Sequence, residues 1–585
     1  MHENLLNLKD LMHIYPIISI SYNLTSLCFP GNNSPMSLTG NASKNIADRL
    51  AWHTASRDQA GIAKNLADGK DIPEVYGLGE AGLFDEFFYF LDRFGFTTLF
   101  TKLELKPKKR NSPVPFMRII FVYMMRIVAG LQFFWHMDPV ILSSQSLMRL
   151  VGFNGRQIKE GYCDRGRKKP VCDEKGPIPI RGPVSCDFIR DTLVSIVAPT
   201  LEKMFNRGIS ILAAHKFFPK TVHALLDASV IESTEKCKGC GKVTKEKPPE
   251  LRLRRKRIRK VLETVFGFKI WVVWDPNSRL PLAMRFTTIE VHDINLAQEV
   301  VQQAVDNLGK HVKITSLAID RGFTDGIFMW WLKTKNITFF IPAKANLDVY
   351  KDALSCIGTG NLCNRDKTRT VGAGKNKTKV TDHWAVEGLE NLTSAEYYGP
   401  LGSGSHQNSK TFVPNSINAV VVHHDPFKDN NPNSKTMVIL TNGSVDKPLA
   451  VYDRYDARSE IENSLFREAK QAWFIERPPV NTKAGFMVHV YLTIFVMALT
   501  TAFRDWMDQQ DKIELKGKDT GIRKFREKVK EENGNKLIIF DQDRYAIFDA
   551  YEVFILCGRN VLKPTGTPEK ITAQDILKKY GAQLE

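Results

Sequence analysis

His223-Ala-Leu-Leu-Asp227-Ala-Ser-Val-Ile231 decides the reading of this chain, because it is the pattern of a buried strand with a carboxylate set into it. A second apolar run, Ile314-Thr-Ser-Leu-Ala-Ile-Asp320, ends on another aspartate just before Arg321-Gly322. A third acid, Glu462, closes Tyr455-Asp-Ala-Arg458-Ser-Glu-Ile-Glu462, where the spacing puts Tyr455, Arg458 and Glu462 on one face of a helix. A carboxylate in apolar surroundings is costly to bury unless it is paired or binds a cation. Three of them, converging, would hold magnesium.

The surrounding pattern supports that convergence. From about residue 220 the period is that of strands: Val222 to Ile231, Gly267 to Trp274, a turn at Asp275-Pro-Asn-Ser278, then Leu280 to Val291. A helix is predicted from Asn295 to Leu308, then the Asp320 strand, a helix from Asp325 to Thr334 and a strand from Ile337 to Pro342. Three antiparallel strands followed by strands alternating with helices make an α/β layer resembling ribonuclease H. There the first and fourth strands are neighbours, so Asp227 and Asp320 would meet although 93 positions apart.

The expected fold class is therefore α/β, with a ribonuclease H-like core carrying a β-rich insertion, a helical domain before it and C-terminal helices after it. Residues 1–75, rich in Asn, Ser and Gly, form a poorly determined arm, and 76–218 read as a helical, DNA-binding domain. Residues 219–350 are the first part of the core. The insertion spans 351–446, with strand candidates at His383 to Gly388, Ala419 to His424 and Thr436 to Leu440. Residues 447–507 are the second part, with the glutamate helix at about Tyr455 to Phe474, and 508–585 a C-terminal segment with a strand candidate at Lys536 to Phe540.

The net charge is +18 over 585 residues, and the isoelectric point is near 9.3, which points to a polyanionic partner. Gly241 to Lys260 holds ten basic residues, with Arg252, Arg254, Arg255, Lys256 and Arg257 at its centre, against Glu246 and Glu250. That density suits DNA phosphates. Smaller clusters at Lys106 to Arg110 and Arg165 to Lys169 extend the surface. An apolar fraction of 43% argues against disorder.

Nine scattered cysteines and no cleavable leader pattern lead us to expect a reducing, cytoplasmic setting, associated with the nucleoid through DNA. No membrane role is expected, since the apolar stretches Met487 to Phe503 and Pro115 to Trp135 read as buried core helices. Cys237-Lys-Gly-Cys240 has zinc-knuckle spacing, with Cys163 and Cys172 as conceivable partners. A single such pair is weak grounds for structural zinc, and reduced loop cysteines are the expectation.

Taken together these residues resemble a cut-and-paste DDE transposase of the insertion-sequence-four-like superfamily, over roughly residues 80 to 507. Tyr455-x2-Arg458-x3-Glu462 followed by Lys470 is similar to that group's tyrosine, arginine, glutamate, lysine signature, and Leu226-Asp227-Ala-Ser and Ile319-Asp320-Arg-Gly-Phe323 match the contexts of its aspartates. There is one departure: the signature puts six residues between glutamate and lysine, and here there are seven. On an ideal helix that places Lys470 about 80° around from Glu462 instead of about 20°. A one-residue bulge or the reach of lysine could restore the contact.

The resemblance implies metal-dependent strand cleavage and strand transfer at transposon ends. Asp227, Asp320 and Glu462 would be catalytic ligands of magnesium or manganese, with two ions and Asp227 as the bridge. Arg458 and Tyr455 would hold the DNA strand near the cut, and Lys470 would add a point charge. The implied partners are double-stranded terminal inverted repeats and target DNA, with a homodimer in a synaptic complex. Two other readings share these features: a catalytically inactive DNA-binding derivative, and a ribonuclease H-like nuclease without strand transfer.

Overall fold

The computed structural model describes residues 56–70, 74–78, 82–106, 114–161, 172–173, 176–177, 182–246, 262–371, 377–394, 398–399, 413–414, 416–426, 435–509, 521–533 and 536–557. The basic cluster Arg252, Arg254, Arg255, Lys256 and Arg257 lies outside the described residues, as do Cys163, Arg165 to Lys169 and most of the 1–75 arm.

Ahead of the main sheet stand the helices α1 (Gly82–Arg93), α2 (Phe116–Ala129) and α3 (Ala198–Ala214). The strands follow as β1 (Thr221–Ser233), β2 (Gly241–Glu246), β3 (Leu262–Asp275) and β4 (Leu280–Thr288), then α4 (Ala297–Leu308), β5 (Lys313–Ile319), α5 (Gly326–Thr334) and β6 (Thr338–Pro342). After them come β7 (Asn361–Val371), β8 (Thr378–Leu392), β9 (Ile417–Pro426) and β10 (Lys435–Thr441). Next are α6 (Pro448–Asp456), a π-helical segment (Ile461–Phe466), α7 (Arg467–Gln471), α8 (Lys483–Gln509) and α9 (Ile522–Asn533).

All ten of these strands join one mixed sheet in the order β7-β8-β9-β10-β6-β5-β1-β3-β2, with β4 also on β3. β1 runs parallel to β5, and β5 parallel to β6, while β3 is antiparallel to β1. The strands β8, β9 and β10 cover the stretches expected between residues 351 and 446, and they continue the same sheet by pairing β10 antiparallel to β6. Two strands of this sheet went unforeseen. β2 begins the basic stretch, and β7 is the polar edge strand Asn361-Leu-Cys-Asn-Arg-Asp-Lys-Thr-Arg-Thr-Val371.

Central strands are buried on both faces, which explains their apolar runs: Ala224, Leu225 and Leu226 on β1, and Trp271 to Trp274 on β3, are all at most 2% exposed. One apolar cluster runs from Tyr76 to Phe540 and takes in helices and sheet alike. Its axis is α8, which packs on α1, α2, α3 and β4. Among the described residues this is the one unbroken helix long and apolar enough to cross a membrane, and 89% of its most apolar window is buried within the protein. α3 comes close to it at Gly208, where a Cβ would stand 2.2 Å from the Phe495 ring.

Two further devices tie the chain together. Arg526 on α9 donates to the carbonyls of Val128 and Ile127 at the end of α2, and to Ala472 just past α7. Its guanidinium also lies over the Trp473 ring. The expected strand at Lys536 to Phe540 is Lys536–Asp541, and it belongs to a separate four-stranded sheet with Arg544–Asp549, Glu74–Gly77 and Ser56–Arg57.

The glutamate helix differs from expectation. Instead of one regular helix over Tyr455 to Phe474, α6 ends at Asp456, Arg458 and Ile461 turn with tighter i to i+3 bonds, and the π-helical segment follows. There Arg467 N–H reaches the carbonyl of Glu462, five residues back. An i to i+5 bond accommodates one extra residue in an α-helix.

Candidate active site

Asp227 and Asp320 sit side by side because their strands are in register. Leu226 and Ile319 are the last pair of the parallel ladder between β1 and β5, so Asp227, still paired with Val272 of β3, and Asp320, just past the end of β5, follow at the same level. This is the carboxyl end of parallel strands, where open α/β sheets bind ligands. Asp320 opens a short turn, Arg321–Phe323, without spending its side chain on the cap. Its carboxylate is thus available for other work.

Glu462 comes from the π-helical segment, which rests on β1. Arg458 joins the acids: its Nη1 lies 3.3 Å from Asp227 Oδ2 and 3.1 Å from Glu462 Oε1. Tyr455 is hydrogen-bonded to Arg458 and feels the charges of Asp320 and Arg321. The two Asp, the Glu, the Tyr and the Arg singled out from sequence are therefore one constellation.

The Asp227 carboxyl is held up at about 7, chiefly by burial and with help from the charges of Glu462 and Asp320, against the pull of the Ala228 N–H and Arg458. For Arg458, burial lowers the guanidinium pKa, yet Asp227, Tyr455, Glu462 and Asp320 outweigh it and hold it above the usual range. Burial likewise raises the Tyr455 hydroxyl, so that it stays a donor. The donor set of Asp227, Asp320 and Glu462 is all hard oxygen, and its crowded negative charge suits magnesium or manganese. In this form, with Arg458 between Asp227 and Glu462, no three His, Cys, Asp or Glu among the described residues stand close enough to hold one ion.

A cavity of about 380 Å³ opens beside these acids, lined by Asp227, Ser229, Val230, Glu462, Arg467 and Lys470 among others. Lys470 shares it with Glu462, and the π-helical segment between them takes up one residue of the turn and brings the two towards one face. The Lys470 ammonium donates to the Val230 carbonyl at 2.8 Å and pairs with Glu476 at 3.0 Å. Sequence reasoning had not singled out Ser229, Arg467 or Glu476, and no spacing pattern marks them.

Other candidates lie elsewhere. Cys237 and Cys240 are free thiols in the turn between β1 and β2, away from the acids.

Residues 219–499 match the family model described as the transposase DDE domain. That match supports a transposase of the DDE kind. No curated protein matches the chain. Among solved structures, the cryo-EM structure of the piggyBac transposase synaptic complex with hairpin DNA is similar at 9% identity and a TM-score of 0.34, over 83% of this chain and 80% of that one. At that score nothing about function or fold is drawn from the likeness.

Proposed function

We propose that this chain, whose residues 219–499 match a transposase DDE domain, cleaves and joins DNA strands at transposon ends. The observation that carries the reading is the placement of Asp227 and Asp320 side by side where the parallel pairing of β1 and β5 ends, with Glu462 tied to Asp227 through Arg458. On this reading the sheet around β1, β3, β4, β5 and β6 is a ribonuclease H-like core of the insertion-sequence-four-like kind, and β7 to β10 are its insertion.

Asp227, Asp320 and Glu462 are the residues that would hold two magnesium or manganese ions. Such ions activate an attacking oxygen and stabilise a leaving one in phosphodiester chemistry. Released from Asp227 and Glu462 as those carboxylates take cations, Arg458 would turn its planar fork to the DNA backbone. Tyr455 would donate its hydroxyl to the same strand, and Lys470 would add a point charge. Water would nick one strand, and the freed 3′ hydroxyl would attack the target or the opposite strand. Two ends must be held at once, so a homodimer on DNA is expected. Arg252, Arg254, Arg255, Lys256 and Arg257, in the segment joining β2 and β3, would grip the duplex.

The test is magnesium-dependent nicking of DNA carrying the flanking inverted repeat, by the native chain and by Glu462→Gln. Nicking lost in the variant while binding persists supports the proposal. Tight binding without nicking in either would leave a DNA-binding protein derived from a transposase. Nicking without joining of a pre-nicked end would leave a nuclease.

A further inference from the structure

We infer that Arg467 forms a phosphate subsite beside the carboxylates, gripping the DNA backbone next to the phosphate that is cut; this rests on the transposase reading above. Two cations line the cavity, Arg467 and Lys470, and a third, Arg458, pairs with two of its acids; Arg458 and Lys470 are already engaged. Arg458 is paired with Asp227 and Glu462, and Lys470 with Glu476 and the Val230 carbonyl. Arg467 lines the same cavity, is exposed, and meets no carboxylate among the described residues.

Its one described side-chain partner is neutral. Arg467 Nη2 donates to Asn463 Oδ1 at 2.7 Å, one turn back on the same helix. A guanidinium has five N–H donors in a rigid fork, so this tether orients the group and leaves an open edge for a bidentate anion. With the surplus residue absorbed by the π-helical segment, Arg467 falls about 40° from Glu462 around the helix, on the cavity side. Along the axis it stands about 7 Å beyond Glu462. A phosphate held by Arg467 is therefore not the one among the three acids but a neighbour in the same strand. Ser229, across the cavity on β1, offers a hydroxyl to the same backbone.

The test measures binding, without metal, of a duplex carrying the flanking inverted repeat, by fluorescence anisotropy over a KCl series. The proteins are the native chain, Arg467→Ala and Arg467→Lys, each also tried on duplexes with one neutral methylphosphonate at successive positions around the cut. Arg467→Ala should weaken binding about tenfold and reduce the slope of log K against log salt by about one. Arg467→Lys should keep the slope and lose about threefold in affinity, since the charge remains and the fork does not. One methylphosphonate beside the cut should weaken the native chain but leave Arg467→Ala unaffected. An Arg467→Ala protein with native slope and native sensitivity to every methylphosphonate overturns the subsite alone. A native chain that binds no such duplex overturns both the subsite and the transposase reading.

Discussion

Lys470 donates its ammonium to the carbonyl of Val230 at 2.8 Å, three residues beyond Asp227 on the same strand. The glutamate helix and the aspartate strand are thereby locked at one height.

Removing that lock should cost activity more than stability. Lys470→Ala is expected to slow nicking by about ten- to a hundredfold, the range for losing a charged hydrogen bond. Moving the lysine to the usual spacing, by Ala469→Lys with Lys470→Ala, should not rescue it. Ala469 is 1% exposed, so the transferred ammonium would be buried. Nicking rates and thermal melts of both variants check this, and recovery in the double variant would refute it.

Asp227 makes the stability of the metal-free protein depend on pH. Its folded pKa of about 7 lies above the unfolded value near 4, so the folded state holds the proton longer. Stability from this group is full below about pH 4 and falls as pH rises towards 7 and beyond. Asp227→Asn should remove that slope. Thermal melts in EDTA should show the variant more stable than the native chain at pH 8, with the gap closing towards pH 4; parallel profiles would contradict the assignment.

Metal addition should reverse the same penalty. Manganese binding must displace the Asp227 proton, so it should raise the melting temperature more at pH 8 than at pH 6. The increment should vanish in Asp227→Asn. Equal increments at both pH values would mean that the ion binds elsewhere.

Arg526 should prove a structural keystone that ties α2 and α9 to the end of the glutamate segment. It satisfies carbonyls at the ends of α2 and just past α7, and Gly130, at φ 68°, leaves it room, since a Cβ there would meet the guanidinium at 2.3 Å. Arg526→Ala should destabilise by about 2–4 kcal/mol through orphaned carbonyls. Differential scanning calorimetry reads this, and a shift under one degree would contradict it.

The acids were legible in the sequence because a carboxylate inside an apolar strand contradicts its surroundings, as Asp227 does between Leu226 and Ala228. The surplus residue before Lys470 was legible as an anomaly but not as a π-helical turn, since a hydrogen-bond ladder leaves no mark on composition. β7 was missed because an exposed edge strand needs no apolar alternation. The pairing of Arg458 with Asp227 links residues 231 apart, and nothing local to either specifies it. Arg467 was not legible, because only the fold sets it beside the cavity.

The pairing of Leu537 with Gly77 has a consequence for synthesis. The strand Glu74–Gly77 leaves the ribosome some 460 residues before its partner exists, which at about 5–20 residues per second is a delay of roughly 20–90 s. During that time its edge is open to other chains. A product truncated before residue 536 never closes this sheet, so its two sequence-distant halves fold together only once residues 536–541 have been made.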